Sequence, residues 1–114
     1  MIPFPENKHT FKMLCENGDD KVVYCCECQV FHVHYGTVGL DLSINAMQSL
    51  MQTLELFLDR FGGLADQECR CIEVGTPYRG IRLILSVSDL RIFGAMLQDA
   101  YAAYEDHFWK PRYN

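Results

Sequence analysis

The sequence has no long apolar run and no excess of positive charge, and each absence excludes a class of protein. No apolar stretch approaches the roughly 18 residues that a membrane-spanning helix needs. The start, MIPFPENKHTF, does not join a basic segment to an apolar one, so we expect no secretory signal and a cytoplasmic protein. The net charge of −5 would repel a nucleic-acid backbone. We therefore predict neither a membrane nor a nucleic-acid partner.

The motifs of common enzyme classes are also missing. The sequence contains no phosphate-binding loop, no nucleophile elbow and no His-Glu-x-x-His motif. Asp19-Asp20 is expected in a hairpin turn and Glu105-Asp106-His107 at a helix end, where exposed charges need no catalytic explanation. We predict that the chain is not an enzyme and has no catalytic or cofactor-binding residues.

No Ser- or Pro-rich linker divides the chain, which favours a single domain over residues 1–114. An apolar fraction of 49% and a charged fraction of 22% are typical of a globular protein. A chain of this length can bury one hydrophobic core without disulfides or metal ions.

Alternating segments predict strands in the first third of the chain. In HTFKMLC, Phe11, Met13 and Cys15 are expected on one side, and the following Asn17-Gly18 pair is typical of a hairpin turn before the strand KVVYCC. QVFHVHY and TVGLDLS continue the alternation, with His32 and His34 opposite the apolar face.

Two amphipathic helices are predicted. The first covers 44–61 and ends at Gly62-Gly63, as helices commonly do at glycine. The second follows Ser86-Val87-Ser88-Asp89, which has the spacing of a capping box. The apolar stripes are Met47, Leu50, Met51, Leu54, Phe57, Leu58 and Phe61, and then Leu90, Phe93, Leu97, Tyr101, Tyr104 and Phe108.

The two halves of the chain, about 21–63 and 64–110, resemble each other at an offset of 43 residues. LDLSINAMQSLMQTL, from Leu40, aligns with LILSVSDLRIFGAML, from Leu83. The same offset lays Cys26-Glu27-Cys28 on Cys69-Arg70-Cys71. The similarity indicates a strand-strand-helix unit that occurs twice after an N-terminal hairpin.

This pattern predicts an α+β fold of two layers, in which an antiparallel sheet carries both helices on one face. ECRCIEV and GIRLILS supply the strands of the second unit. The expected sheet side of the core is Phe31, Val38, Leu40, Leu42, Ile72, Val74, Ile81, Leu83 and Leu85.

The six cysteines allow three interpretations. If the strands are continuous, Cys26, Cys28, Cys69 and Cys71 lie on the outer face with the histidines, as small hydrophobic side chains. Alternatively, Cys-x-x-Cys and Cys-x-Cys spacing supplies zinc ligands from Cys25, Cys26, Cys28, Cys69 and Cys71. The third interpretation, a thiol-redox protein, lacks the helix N-terminus that usually activates such a pair.

The second helix is apolar beyond one stripe, which favours contact with another chain. Ile92, Met96 and Ala103 lie off the main stripe and are candidate interface residues. We expect a homodimer, or an unidentified protein or small-molecule partner. The leading prediction is therefore a small non-enzymatic binding or assembly module, with the zinc-stabilised domain as the alternative.

The run from Cys25 to Gly36, with Cys-x-x-Cys followed by Phe31-His32-Val33, resembles a family of small uncharacterised bacterial proteins. The segment VGTPYRGIRLILSVSDL is similar to that family too, so the likeness covers most of the chain. Cys69 and Cys71 are not part of the family pattern. The resemblance implies a compact bacterial cytoplasmic domain without an assigned activity.

Overall fold

The computed structural model describes residues 9–109, apart from the side chain of Trp109, and the α+β class is confirmed. The elements in chain order are β1 (Phe11–Asn17), β2 (Asp20–Cys25), β3 (Val30–Tyr35), β4 (Val38–Leu42), α1 (Ile44–Phe61), β5 (Ile72–Gly75), β6 (Arg82–Leu85) and α2 (Val87–Tyr104), followed by a π-helical turn, Glu105–Trp109.

Within residues 9–109 the strands form two antiparallel sheets, where the sequence predicted one. β1 to β4 pair in chain order, and β5 pairs with β6. The first and third hairpin turns have two central residues, Gly18-Asp19 and Gly36-Thr37. Each begins with a glycine of positive φ, +64° and +59°, as a type II′ turn requires. The first turn therefore lies one residue beyond the expected Asn17-Gly18 pair.

The two helices begin at matched serine caps. The Ser43 hydroxyl accepts a hydrogen bond from the Ala46 amide, and the Ser86 hydroxyl accepts one from the Asp89 amide. Both helices have 18 residues, and their bounds differ by the predicted 43 positions. No helix in the described part of the chain is long and apolar enough to cross a membrane.

Asp89 connects the second cap to β3 and to the segment that precedes β5. It is 5% exposed, and its carboxylate accepts hydrogen bonds from the Ser86 amide at 2.9 Å and the Tyr35 hydroxyl at 2.6 Å. The Arg70 guanidinium donates to the same carboxylate, with Nε at 2.9 Å. Burial alone would raise the pKa of Asp89, but these hydrogen bonds outweigh it and hold the pKa well below its usual range.

Both helices and both sheets contribute to one hydrophobic core, and most of the predicted core residues are buried. Val38 is only partly buried. Ile81 is an error of the prediction, because it is 48% exposed. The loop 76–81 ends just before the β6 ladder begins at Arg82, so strand alternation does not reach Ile81.

A β-bulge in β1 corrects a second expectation. Met13 pairs with Val23, but Cys15 pairs with the next residue along, Val22, so the register shifts between them. Val22 is fully buried, and Cys15 packs against the core beside it. Met13 is 46% exposed on the other face. Met13 and Cys15 therefore lie on opposite faces of the strand, because the bulge inserts an extra residue.

Candidate metal site

Three soft side chains meet where β1 begins and β2 ends. The Nδ1 atom of His9 lies 3.0 Å from the Cys25 sulfur and 3.2 Å from the Cys28 sulfur. The three potential ligand atoms all lie within 4.8 Å of one another. Of residues 9–109, these three form the one such group of histidine, cysteine or carboxylate side chains.

The β1–β2 hairpin brings His9 to the cysteines. Phe11, the first residue of β1, pairs with Cys25, the last residue of β2. Beyond this pair, the Cys26 amide donates to the Thr10 carbonyl at 3.0 Å. The Thr10 amide in turn donates to Oε1 of Glu27 at 2.6 Å. These two bonds hold the segment preceding β1 against the 26–29 turn.

The 26–29 turn returns Cys28 to Cys25. The Gln29 amide donates to the Cys25 carbonyl at 2.8 Å, and the Cys28 amide points at the Cys25 sulfur at 3.4 Å. Gln29 has a φ of +57°, the only positive value at a residue other than glycine in the described part of the chain. That left-handed residue turns the backbone back into β3, so both sulfurs lie on the same side of the turn.

The surroundings favour the thiolate form of Cys25. Its burial raises the pKa, but hydrogen bonds from His9, from the Cys28 amide and thiol, and from the backbone at Glu27 lower it to about 7. The side-chain hydrogen bond with Cys25 raises the pKa of His9 and, more than any other cause, that of Cys28. The Cys25 thiolate therefore has two side-chain proton donors, His9 and Cys28. A bound cation could take the place of the two donated protons.

The distances are close to those of a tetrahedral zinc site. Zn–N and Zn–S bonds of about 2.0 and 2.3 Å place a nitrogen and a sulfur ligand about 3.5 Å apart. The Nδ1 atom of His9 is 3.0 and 3.2 Å from the two sulfurs. Both distances are within about 0.5 Å of the spacing in a zinc site. A small outward movement of an exposed histidine and an exposed Cys28 would admit the ion.

The remaining predicted ligands lie elsewhere. Cys26 is partly buried and packs against the core rather than on the outer face, and burial raises its pKa. Cys69 and Cys71 are exposed and precede β5 instead of belonging to it. None of these three belongs to the group around His9.

The cysteine coincidence at an offset of 43 is not structural. Leu42 pairs with Phe31, and its counterpart Leu85 pairs with Ile72, so the strands β3 and β5 correspond at an offset of 41. Between these paired positions the β5–β6 hairpin contains two more residues than the β3–β4 hairpin, which accounts for the change in offset from 41 to 43. Cys26-Glu27-Cys28 and Cys69-Arg70-Cys71 therefore occupy different positions in their units.

The predicted interface residues and the strand histidines have mixed environments. Ile92 is 45% exposed, but Met96 is 3% exposed and belongs to the core, while Ala103 is partly buried. His34 is exposed, and Nδ1 of His32 lies 2.7 Å from an oxygen of Asp41. Met96 is therefore not available to a partner in this structure.

His9 was not among the ligands predicted from the sequence. The β1–β2 hairpin could have pointed to His9. Counting outward from the turn at Gly18 places the residues before Phe11 opposite the Cys25–Cys28 segment. A hairpin register is needed to see this, since 16 residues separate His9 from Cys25.

Comparisons with protein-family models, curated proteins and solved structures find no match for this chain. The family resemblance drawn from the sequence therefore stays a prediction. The functional argument depends on the geometry of these side chains alone.

Proposed function

We propose that this chain is a small zinc-binding domain in which His9, Cys25 and Cys28 hold the ion. The observation that carries the proposal is the convergence of one imidazole and two thiols within 4.8 Å. Two sulfurs and one nitrogen suit zinc better than they suit magnesium or calcium, which prefer oxygen. The Cys25 pKa of about 7 provides a thiolate near neutral pH.

The ion would stabilise the fold. It would join the segment preceding β1 to the β2–β3 turn. In the described residues, these two segments also meet through the Cys26–Thr10 and Thr10–Glu27 hydrogen bonds. Three protein ligands leave the fourth tetrahedral position to water or to another donor. Because metal binding to the native state adds to folding free energy, removal of zinc should lower the melting temperature.

The test is the zinc content of untagged protein purified without chelator. We expect about one zinc per chain in the wild type, and a loss of at least about tenfold in zinc affinity in the His9→Gln and Cys28→Ser variants. Both altered residues are exposed, so neither substitution disturbs the core. Cobalt titration provides a second readout, because thiolate–cobalt bonds absorb in the near ultraviolet.

Cys69→Ser is the matched control, because Cys69 is also an exposed cysteine but lies outside the His9 group. It should bind zinc as the wild type does. A wild-type protein without zinc that also gives no thiolate–cobalt absorption would overturn the proposal. So would a Cys69→Ser variant that loses zinc while Cys28→Ser retains it.

Self-association is a second candidate function, favoured by apolar side chains on the outer sheet face. Phe11 and Met13 are 49% and 46% exposed on β1, which forms one edge of the four-stranded sheet. A second copy of the chain could cover them about a two-fold axis. Light scattering after size exclusion should give a dimer mass that Met13→Lys reduces to the monomer mass. A wild-type monomer at every concentration up to the millimolar range would contradict this candidate.

A further inference from the structure

Cys69 and Cys71 are held close together outside the proposed zinc site. Both are exposed, and the Cys71 amide donates to the Cys69 carbonyl at 3.0 Å. A bond between residues i and i+2 closes a γ-turn, and Arg70 at its centre lacks a positive φ, so the turn is of the inverse type. Two residues span about 7 Å when fully extended, and this turn shortens that span into the range of disulfide-bonded Cα atoms.

Contacts on both sides fix this turn. Oδ1 of Asp66 accepts a hydrogen bond from the Cys69 amide at 3.1 Å. The side chain of Arg70 donates to the buried Asp89 carboxylate at 2.9 Å. A hydrogen bond with the Cys71 side chain is the largest cause that raises the pKa of Cys69, which agrees with contact between the two thiols. The pair is therefore presented to solvent on an anchored backbone.

We propose that Cys69 and Cys71 form a reversible dithiol–disulfide site that reacts with low-molecular-weight disulfides. The thiolate of one cysteine attacks a sulfur of the small disulfide, forms a mixed disulfide and releases one small thiolate. The second cysteine loses its proton to solvent and attacks the protein sulfur of the mixed disulfide, which releases the second small thiolate. The protein loses two electrons and two protons in total, and the small disulfide gains the two electrons as two thiols.

The ring that this bond closes contains a single intervening residue, Arg70. Exposed and strained disulfides have more oxidising potentials than buried structural ones, and small thiols reduce them readily. The site is therefore suited to reversible exchange rather than to permanent stabilisation. It uses neither Cys25 nor Cys28, so it does not depend on zinc binding.

The test equilibrates reduced protein with mixtures of oxidised and reduced glutathione, blocks the remaining thiols with an alkylating agent and digests the protein with trypsin. Cleavage follows Arg60, Arg70 and Arg79, so a Cys69–Cys71 disulfide links peptides 61–70 and 71–79. We expect this linked species in the wild type, with little glutathione attached to either peptide.

The variants Cys69→Ser and Cys71→Ser remove the second attack. Each should accumulate glutathione on its remaining cysteine at least about tenfold more than the wild type does, because no neighbouring thiol displaces it. Cys15→Ser, which alters a partly buried thiol elsewhere, should give the linked peptides as the wild type does. Stable glutathione on both wild-type cysteines, or no reaction at either, would overturn the proposal. The His9→Gln variant should give the same linked peptides whether or not it binds zinc.

Discussion

The unit β3–β4–α1 and the unit β5–β6–α2 have nearly the same helix and different hairpins. Each helix has 18 residues and follows a serine cap, at an offset of 43 residues. The β3–β4 hairpin has a two-residue turn and belongs to the four-stranded sheet. The β5–β6 hairpin has the loop 76–81 and forms a sheet of its own. The two units thus share the local signals that set the position of the helix, but they differ in the loop length that sets the register of the hairpin strands.

The caps also differ at one position. Ala46 supplies only its amide to the Ser43 cap, whereas the equivalent Asp89 supplies an amide and a carboxylate. That carboxylate also accepts hydrogen bonds from Tyr35 of the first unit and from Arg70. The second cap is therefore a tertiary contact between the two units as well as the start of a helix.

The largest expected effect tests whether the two helices contribute equally to the core. Leu54 and Leu97 occupy equivalent positions and are 1% and 0% exposed. Because each leaves a cavity when shortened, Leu54→Ala and Leu97→Ala should each lower the free energy of unfolding by about 3 kcal/mol. Urea denaturation measures both. A loss below about 1 kcal/mol in either variant would mean that its unit stands outside the shared core.

The next effect tests the difference between the caps. Asp89→Ala removes a buried carboxylate with three hydrogen-bonding partners and should cost about 2–3 kcal/mol. Ser43→Ala removes one exposed cap bond and should cost about 1 kcal/mol. Denaturation of the two variants side by side gives the comparison. Equal losses would show that the contacts with Tyr35 and Arg70 add nothing to stability.

A third prediction concerns acid. The folded-state pKa of Asp89 lies below its ordinary value of 3.8, so its contribution to stability is complete above that value and is lost as the pH falls below it. The wild type should therefore lose stability from about pH 4 to about pH 2, and Asp89→Asn should lose less over the same range. Melting curves across this range measure both slopes. Parallel slopes would assign the acid sensitivity to other carboxyl groups.

The smallest effect tests the hairpin difference at equivalent positions. Val38 is partly buried against the core, and Val38→Ala should cost about 1 kcal/mol. Ile81 is 48% exposed, and Ile81→Ala should cost less than about 0.5 kcal/mol. A larger loss at Ile81 would indicate that Ile81 packs against the core as part of β6, as the sequence predicts.

Features with local causes were predicted from the sequence. The bounds of α1, the capping box of α2 and the α+β class follow from apolar spacing and cap residues within a few positions of each other. The location of Cys26 was predicted wrongly, because the sequence argument transferred the parity of Cys69 and Cys71 to it at an offset of 43, which these strands do not follow. Val22 and Tyr24 are buried, and Cys26 continues their alternation towards the core.

The candidate site shows the same division. Cys25 and Cys28 are visible in the sequence as a Cys-x-x-Cys pair, since a tight turn can bring residues three apart together. The choice between the neighbouring cysteines and the identity of the third ligand depend on the register of the β1–β2 hairpin. Cys69 and Cys71 were assigned to a strand, yet the chain forms a γ-turn there before β5 begins.

The sequence by itself determined two helices, their buried stripes, their serine caps and the presence of soft ligands, because each depends on residues that are near one another in the chain. Only the tertiary structure decided that His9 meets Cys25 and Cys28, that β5 and β6 form a separate sheet, and that Asp89 joins the two units. The contacts of His9 and Asp89 connect residues 16 to 54 positions apart. Their formation depends on strand register and loop length, which no local pattern specifies.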